Sequence, residues 1–223
     1  MTENAATQDP EVYFQGLISG LKPEIEAPIT PVVDSVLKEL EEFERKNPRM
    51  RNVTREGGLV LKSLITASNA KDILELGTSN GYSTIWLAMA ARETGGKVTT
   101  VENQKWKIDL AKSNLQKVGL AKVVDFVLGD AREKIEGLKN HVDFLFLDIW
   151  PDEYLPCLTG LMPKLKPMTL IVADNMLTHR DRDGNITPRG EEGNDYLEFI
   201  QNQSKFLSKD LEIGSGLNIA MLK

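Results

Sequence analysis

Glu75, Glu102, Asp148, Asp174 and Asn175 each stand at the end of a short apolar run. If those runs are parallel strands, the five polar side chains gather where ligands of such sheets bind, beyond the strands' carboxyl ends. The first run opens the stretch DILELGTSNGYSTIWLA, residues 72–88. Ile73, Leu74 and Leu76 lead into a small polar loop, Gly77-Thr78-Ser79-Asn80-Gly81, after which Tyr82, Ile85, Trp86 and Met89 recur at helical spacing. The glycines let a backbone come close to a ligand, and the helix start offers unpaired N–H groups. A phosphate is an awkward guest there. Glu75 adds negative charge, the loop is G-x-x-x-G rather than G-x-G-x-x-G, and no P-loop lysine follows. Glu102 lies about 20 residues beyond the loop, where an acid accepts hydrogen bonds from two ribose hydroxyls.

A nucleoside bearing a cationic or zwitterionic amino-acid arm would welcome both carboxylates, and S-adenosylmethionine is such a molecule. The plainer reading is a tight strand-to-helix turn at Gly77 and Gly81, with Glu102 a solvated strand end. Asp148, Asp174 and Asn175 raise a second possibility. Oxygen ligands from neighbouring strand ends, with no His or Cys among them, describe a site for a hard cation such as Mg²⁺, Mn²⁺ or Ca²⁺. The alternative is that Asp174-Asn175 is a strand-end turn and Asp148 a cap for the next helix.

The elements that must carry these residues follow from periodicity. Strands are expected at 72–76, 97–102, 123–128, 142–148 and 169–173, and helices at 82–92, 104–118, 131–138, 153–165 and 194–206. The apolar run Phe144-Leu145-Phe146-Leu147 suits a strand covered on both faces. Before them, Thr30 and Pro31 start a helix with Val33, Val36, Leu37, Leu40 and Phe43 in one stripe, and a second helix runs from Thr54 to about Ala67. Residues 210–223 read as a hairpin about Gly214-Ser215-Gly216. Alternating strands and helices closed by a hairpin imply an α/β fold, a doubly wound and mostly parallel seven-stranded sheet with extra N-terminal helices. Residues 1–16 read as a flexible or partner-contacting arm and 17–223 as one domain. YFQG at 13–16 resembles the end of a protease-cleavage tag, but Pro10 stands where that tag's glutamate belongs.

Composition excludes several classes. The chain has 223 residues, 41% hydrophobic and 27% charged, with a net charge of −6. That balance argues against a nucleic-acid surface, which needs a basic face. No apolar run approaches the roughly 20 residues of a membrane helix. The single cysteine, Cys157, excludes an internal disulfide and suits a small buried hydrophobe. With no signal peptide visible, a cytoplasmic setting and a small-molecule substrate are expected; the N-terminal helix would suit a homodimer contact.

The chain resembles the catechol and caffeoyl-CoA O-methyltransferase group of class I S-adenosylmethionine-dependent methyltransferases. The resemblance covers roughly residues 50 to 223 and rests on Asn52-Val53, ILELGTSNGYST, VENQ, GDAREKI, FLFLDIWPDEYLP, VADN and IGSGLNIAML. It implies that Val53 lies over the cofactor and that Glu75, Gly77, Thr78, Ser79, Gly81, Tyr82 and Ser83 surround its methionine arm. Glu102 and Asn103 would take the ribose, and Asp130, Ala131 and Arg132 would lie beside the adenine. Asp148, with Asp174 and Asn175, would hold the metal and touch the cofactor region. Trp150 would wall the pocket, or be no more than a partly exposed loop tryptophan. The implied reaction attaches a methyl group to one hydroxyl of a catechol, whose phenol of pKa about 10 must lose its proton, helped by a divalent ion.

One position departs from that pattern. The family usually carries a lysine three residues after the first metal aspartate, and here that position is Pro151. Proline can neither accept nor donate a side-chain proton, so the base is expected elsewhere, at His179 or Asp152, or not at all. His179 lies in THRDRDGNITPRGEEGN, the natural lid and selectivity element; His141 reads as a surface residue. The departure leaves room for another nucleophile, an amine or carboxylate, or for a nucleoside-binding protein without methyl transfer.

Overall fold

The apolar runs become strands, and amphipathic stretches pack over both faces of the sheet they form. The computed structural model describes residues 9–21, 29–47, 50–138, 141–180, 186–188, 191 and 193–223. In chain order the helices are α1 (Pro10–Ser19), α2 (Pro31–Lys46), α3 (Arg55–Ser68), α4 (Tyr82–Thr94), α5 (Lys105–Lys117), α6 (Ala131–Gly137), α7 (Tyr154–Leu161) and α8 (Asn194–Gln201). The strands are β1 (Asp72–Leu76), β2 (Lys97–Glu102), β3 (Val124–Leu128), β4 (Val142–Leu147), β5 (Leu165–Ala173), β6 (Thr178–Arg180), β7 (Ile186–Pro188), β8 (Phe206–Leu211) and β9 (Leu217–Leu222).

Seven strands form one sheet in the order β3-β2-β1-β4-β5-β9-β8. The first five are parallel, while β9 runs antiparallel to both β5 and β8. The order reverses between β1 and β4, so the crevice at their carboxyl ends is the switch point where a ligand has room. Strand alternation sorts the core into two layers. Ile73, Phe144, Phe146, Leu170 and Val172 face a cluster with Leu37, Leu61, Ile65 and Trp86 from α2, α3 and α4. Leu74, Leu145, Leu147, Ile171 and Ala173 face Leu158, Tyr154 and Tyr196 from α7 and α8.

Local chemistry sets the helix starts nearest the site. Thr30 Oγ1 accepts from the Val33 N–H at 3.3 Å with Pro31 in the first turn, and Thr54 Oγ1 accepts from Gly57 N–H at 3.2 Å. Gly81, at φ +87°, turns the chain into α4.

Four expectations are corrected. Residues 10–16, expected within a flexible arm, form most of α1, where the Asp9 carboxylate caps Glu11 and Val12 and Phe14 and Leu17 are buried against the core. Phe43 is exposed, because the last turn of α2 buries none of its side chains. The helix expected over 194–206 ends at Gln201, and Phe206 already opens β8, four residues before the expected hairpin. The helix expected over 153–165 ends at Leu161, and Leu165 begins a longer β5. Within the expected lid, β6 and β7 pair as a small ribbon with His179 opposite Thr187. The His179 side chain lies outside the described residues.

Candidate active site

Hydrogen bonding extends past the strand ends and draws them together. Gly77 N–H donates to Val101 O at 3.0 Å, Asp148 N–H to Leu76 O at 2.9 Å, and Asp174 N–H to Leu147 O at 3.1 Å. Gly77 sits at φ +109°, and a Cβ there would fall 2.1 Å from the Asp148 carbonyl oxygen. Glycine thus permits the ends of β1 and β4 to touch.

Around that contact lies a cradle of satisfied carboxylates. Glu75 is fully buried; its Oε1 accepts from Ser83 Oγ at 2.5 Å, and its Oε2 accepts from the Thr84 and Thr100 hydroxyls, each at 2.6 Å. Burial pushes its carboxyl up to about 7, the three hydroxyl donors pull it down, and the Glu102 charge adds to the rise. Thr78 and Thr100 hydroxyls share a bond at 2.6 Å. Glu102 receives the Ser79 N–H on one oxygen and the Gln104 N–H on the other, both at 3.0 Å. Each of its oxygens accepts at two positions, so both retain capacity for a hydroxyl donor. Asn103 beside it is exposed.

The loop is fixed from outside as well. Asn80 donates to Asn52 Oδ1 at 2.9 Å and accepts from the Tyr82 N–H at 3.1 Å and from Asn114 Nδ2 at 3.0 Å. Tyr82 donates its hydroxyl to Glu41 of α2 at 2.7 Å, which makes its side chain a brace. These bonds hold the segment before α3 against the loop, with Val53 buried beside it and Met50 Sδ 3.6 Å from Ser79 Oγ. Asp130 caps α6 by accepting from the Arg132 N–H at 2.9 Å. Ala131 is partly exposed, and the Arg132 guanidinium pairs with Glu153.

The ends of β4 and β5 present a different environment. Asp174 is buried, Asp148 is partly exposed, and Asn175 takes the left-handed conformation at φ +60°. Burial raises the Asp148 carboxyl well above its ordinary range; the Asp174 and Glu75 charges add to this, while Lys107 and Arg51 oppose it. Burial raises Asp174 too, against a hydrogen bond from the Asn175 backbone. Two acids and an amide thus meet at adjoining strand ends, an all-oxygen donor set. Among the described residues no three His, Cys, Asp or Glu side chains cluster as a metal-binding group, so the set depends on Asn175. Trp150 is half exposed, and the Arg51 guanidinium lies over its ring. Pro151 is buried, with Gly193 close against it, and opens a short 3₁₀ turn; Asp152 and His141 are exposed.

The structure therefore brings Glu75, Gly77, Thr78, Ser79, Gly81, Ser83 and Glu102 together, with Asp148 after the next strand, β4, and Asp174 and Asn175 after β5 beyond it. Thr84 and Thr100 were absent from the expected site, although a threonine pair inside KVTTVE is a signal that one hydroxyl faces a buried acceptor. Arg51 left no sequence signal, being 99 residues from the ring it covers.

A Rossmann-like sheet with this cleft defines a class of ligand-binding enzymes, and comparison with known proteins sets the family. The O-methyltransferase family profile matches residues 29–217. Catechol O-methyltransferase B of Danio rerio is 31% identical over 182 residues, 78% of this chain and 64% of that protein, so the chain spans just under two thirds of this relative's length. Caffeoyl-CoA O-methyltransferase 2 of Eucalyptus globulus is 27% identical over 89% of this chain and 81% of its own. The crystal structure of an O-methyltransferase from Bacillus cereus in complex with SAH superposes with a TM-score of 0.74 at 26% identity, covering 96% of this chain and all of that one. This chain belongs to the O-methyltransferase family. It is an enzyme, which removes the reading of a nucleoside binder without methyl transfer. No helix among the described residues is long and apolar enough to cross a membrane.

Proposed function

We propose that this enzyme moves a methyl group from S-adenosylmethionine to a hydroxyl of a small vicinal dihydroxy aromatic, with a hard divalent cation held by Asp148, Asp174 and Asn175. The observation that carries this reading is the meeting of Asp148, Asp174 and Asn175 at the adjoining ends of β4 and β5, beside the Glu75–Glu102 cradle, with the Asp174 charge felt at Asp148. A dication offsets that charge, and oxygen-only donors suit Mg²⁺. When bound, S-adenosylmethionine supplies a methyl group on a positively charged sulfur, and the cation supplies positive charge that favours an ionised hydroxyl.

The chain's own residues bind and orient. Glu102 accepts from the ribose hydroxyls while its two backbone donors keep the carboxylate in place. Glu75, at the base of the cradle, offers negative charge to the amino group of the methionine arm. Gly77 and Gly81 keep the loop free of side chains, and Val53 closes the pocket against water. Fixing the acceptor oxygen in line with the methyl group is the main catalytic contribution. Pro151 supplies no proton acceptor, so proton removal falls to His179, to Asp152 or to solvent.

The test is methyl transfer to a simple catechol. Activity should require S-adenosylmethionine, disappear with EDTA and return with Mg²⁺. Turnover indifferent to chelation would remove the cation from the reading, and no turnover of any dihydroxy aromatic between pH 6 and 9 would remove the substrate class.

A further inference from the structure

Arg51 precedes the Asn52-Val53 pair, and its guanidinium carbon lies 4.6 Å from the centre of the Trp150 ring. The two residues come from different segments. Arg51 belongs to the segment leading into α3; Trp150 follows β4, two residues beyond Asp148, and is 50% exposed. Among the described residues the acids of the cleft are Glu75, Glu102, Asp148 and Asp174. Arg51 and Lys107 are cations whose charge is felt at Asp148. With those acids taken up by the cofactor and the cation of the proposed function, the charge that an acceptor's substituent would meet beside Trp150 is that of Arg51.

We propose that Arg51 determines specificity: with Trp150 it forms a platform that selects dihydroxy aromatic acceptors carrying an anionic substituent and turns away those carrying an amine. This rests on the dihydroxy-aromatic reading above and names the class of acceptor within it. The chemistry is that of a stacked guanidinium. Its flat face lies on the indole, and its hydrogen bonds leave in its own plane, in a fork that matches a carboxylate. A flat aromatic acceptor beside Trp150 can therefore place its anionic group at the rim of Arg51. An amine in that place meets like charge, so the same residue attracts one class and repels the other.

The test compares 3,4-dihydroxybenzoate, 3,4-dihydroxybenzamide and 3,4-dihydroxybenzylamine, which share the reacting hydroxyls and differ in charge, with S-adenosylmethionine and Mg²⁺ at pH 7.5. In the wild type, kcat/KM for the acid should exceed that for the amine by about tenfold or more. Arg51→Gln should bring that ratio close to one, and Arg51→Lys should keep part of the preference, since it retains charge without the planar stack. A wild-type ratio within about threefold of one, or an unchanged ratio in Arg51→Gln, overturns the proposal. If none of the three is methylated, the dihydroxy-aromatic reading fails, and binding decides the role of Arg51. Calorimetric titration of the S-adenosylhomocysteine-loaded protein should then show the acid binding about tenfold tighter than the amine, with the difference lost in Arg51→Gln. Equal affinities, or no binding of the acid, overturn it.

Discussion

The two halves of the cleft are built on opposite terms. On the β1–β2 side, Glu75 and Glu102 are buried carboxylates whose oxygens are met by three hydroxyls and two backbone N–H groups. On the β4–β5 side, burial raises the carboxyls of both Asp148 and Asp174, and the Asp174 charge adds to the rise at Asp148. A satisfied site is rigid before its ligand arrives. A site of raised carboxyls is stabilised by whatever neutralises them, a proton included. The cradle is thus held in one arrangement by its own donors, while the acids of the β4–β5 side are held by burial and charge alone.

The largest effect is expected where the two halves touch. Gly77→Ala forces a Cβ against the Asp148 carbonyl in a conformation that disfavours side chains, and backbone cannot step aside. A loss of about 3–5 kcal/mol is expected in urea unfolding, or failure to accumulate folded protein. A loss below about 1 kcal/mol would mean the halves are not in contact as described.

Asp174→Asn separates activity from stability. Methyl transfer should fall by about a hundredfold or more, as for loss of a metal-orienting group. The metal-free variant should nevertheless be more stable than wild type at pH 8. The sign follows from the raised carboxyl: the folded protein holds that proton more tightly than the unfolded chain, so wild-type stability is full at low pH. It is lost as pH rises past the ordinary carboxylate range towards the raised one. Thermal melts at pH 5 and pH 8 with EDTA check it, and a variant less stable than wild type at pH 8 would contradict the burial-raised Asp174 carboxyl.

On the satisfied side, Glu102→Ala should weaken S-adenosylhomocysteine binding by about 1.5–3 kcal/mol for each charge-assisted bond lost, measured by calorimetry. Equal affinity would end the assignment of the ribose to Glu102. The smallest effect is expected from Glu75→Gln. Its amide can accept from Thr84 and Thr100 and donate to Ser83, so the network survives without the charge. Because burial holds the Glu75 carboxyl near 7 against an ordinary value of 4.5, apo wild type should lose stability between those values as pH rises. Glu75→Gln should recover a few degrees of Tm at pH 8, at about 2–4 °C per kcal/mol, and nothing at pH 4. The residual slope would belong to Asp148 and Asp174.

The same division governs how much could be read from the sequence. Strand runs, the glycine loop and Glu102 lie within one βαβ unit, so local periodicity and spacing expose them. Asp148 and Asp174-Asn175 are legible because each closes an apolar run. Arg51 over Trp150, and Tyr82 on Glu41, join positions far apart in the chain, and no local pattern records such a meeting. Boundaries failed where a signal was missing or masked. Residues 201–205 (QNQSK) hold no Gly, Pro or apolar residue to separate the end of α8 from the start of β8, which hid that start. Asp9-Pro10-Glu11 is a helix start, but the likeness of YFQG to a tag masked it.

The strand order has a consequence for how the molecule comes into being. β8 precedes β9 in the chain yet lies outside it, at the sheet's edge, so β8 has no place in the sheet until β9 has paired with it. A folding chain therefore keeps β8 out of the sheet, with the flank of β5 bare, until β9 lies between them. Leu217 of that late strand lies near Gly57, beneath the segment that carries Val53. Strand order therefore ties completion of the sheet beneath that segment to its last strand, and a chain lacking β9 would leave the flank of β5 as an unpaired edge open to association.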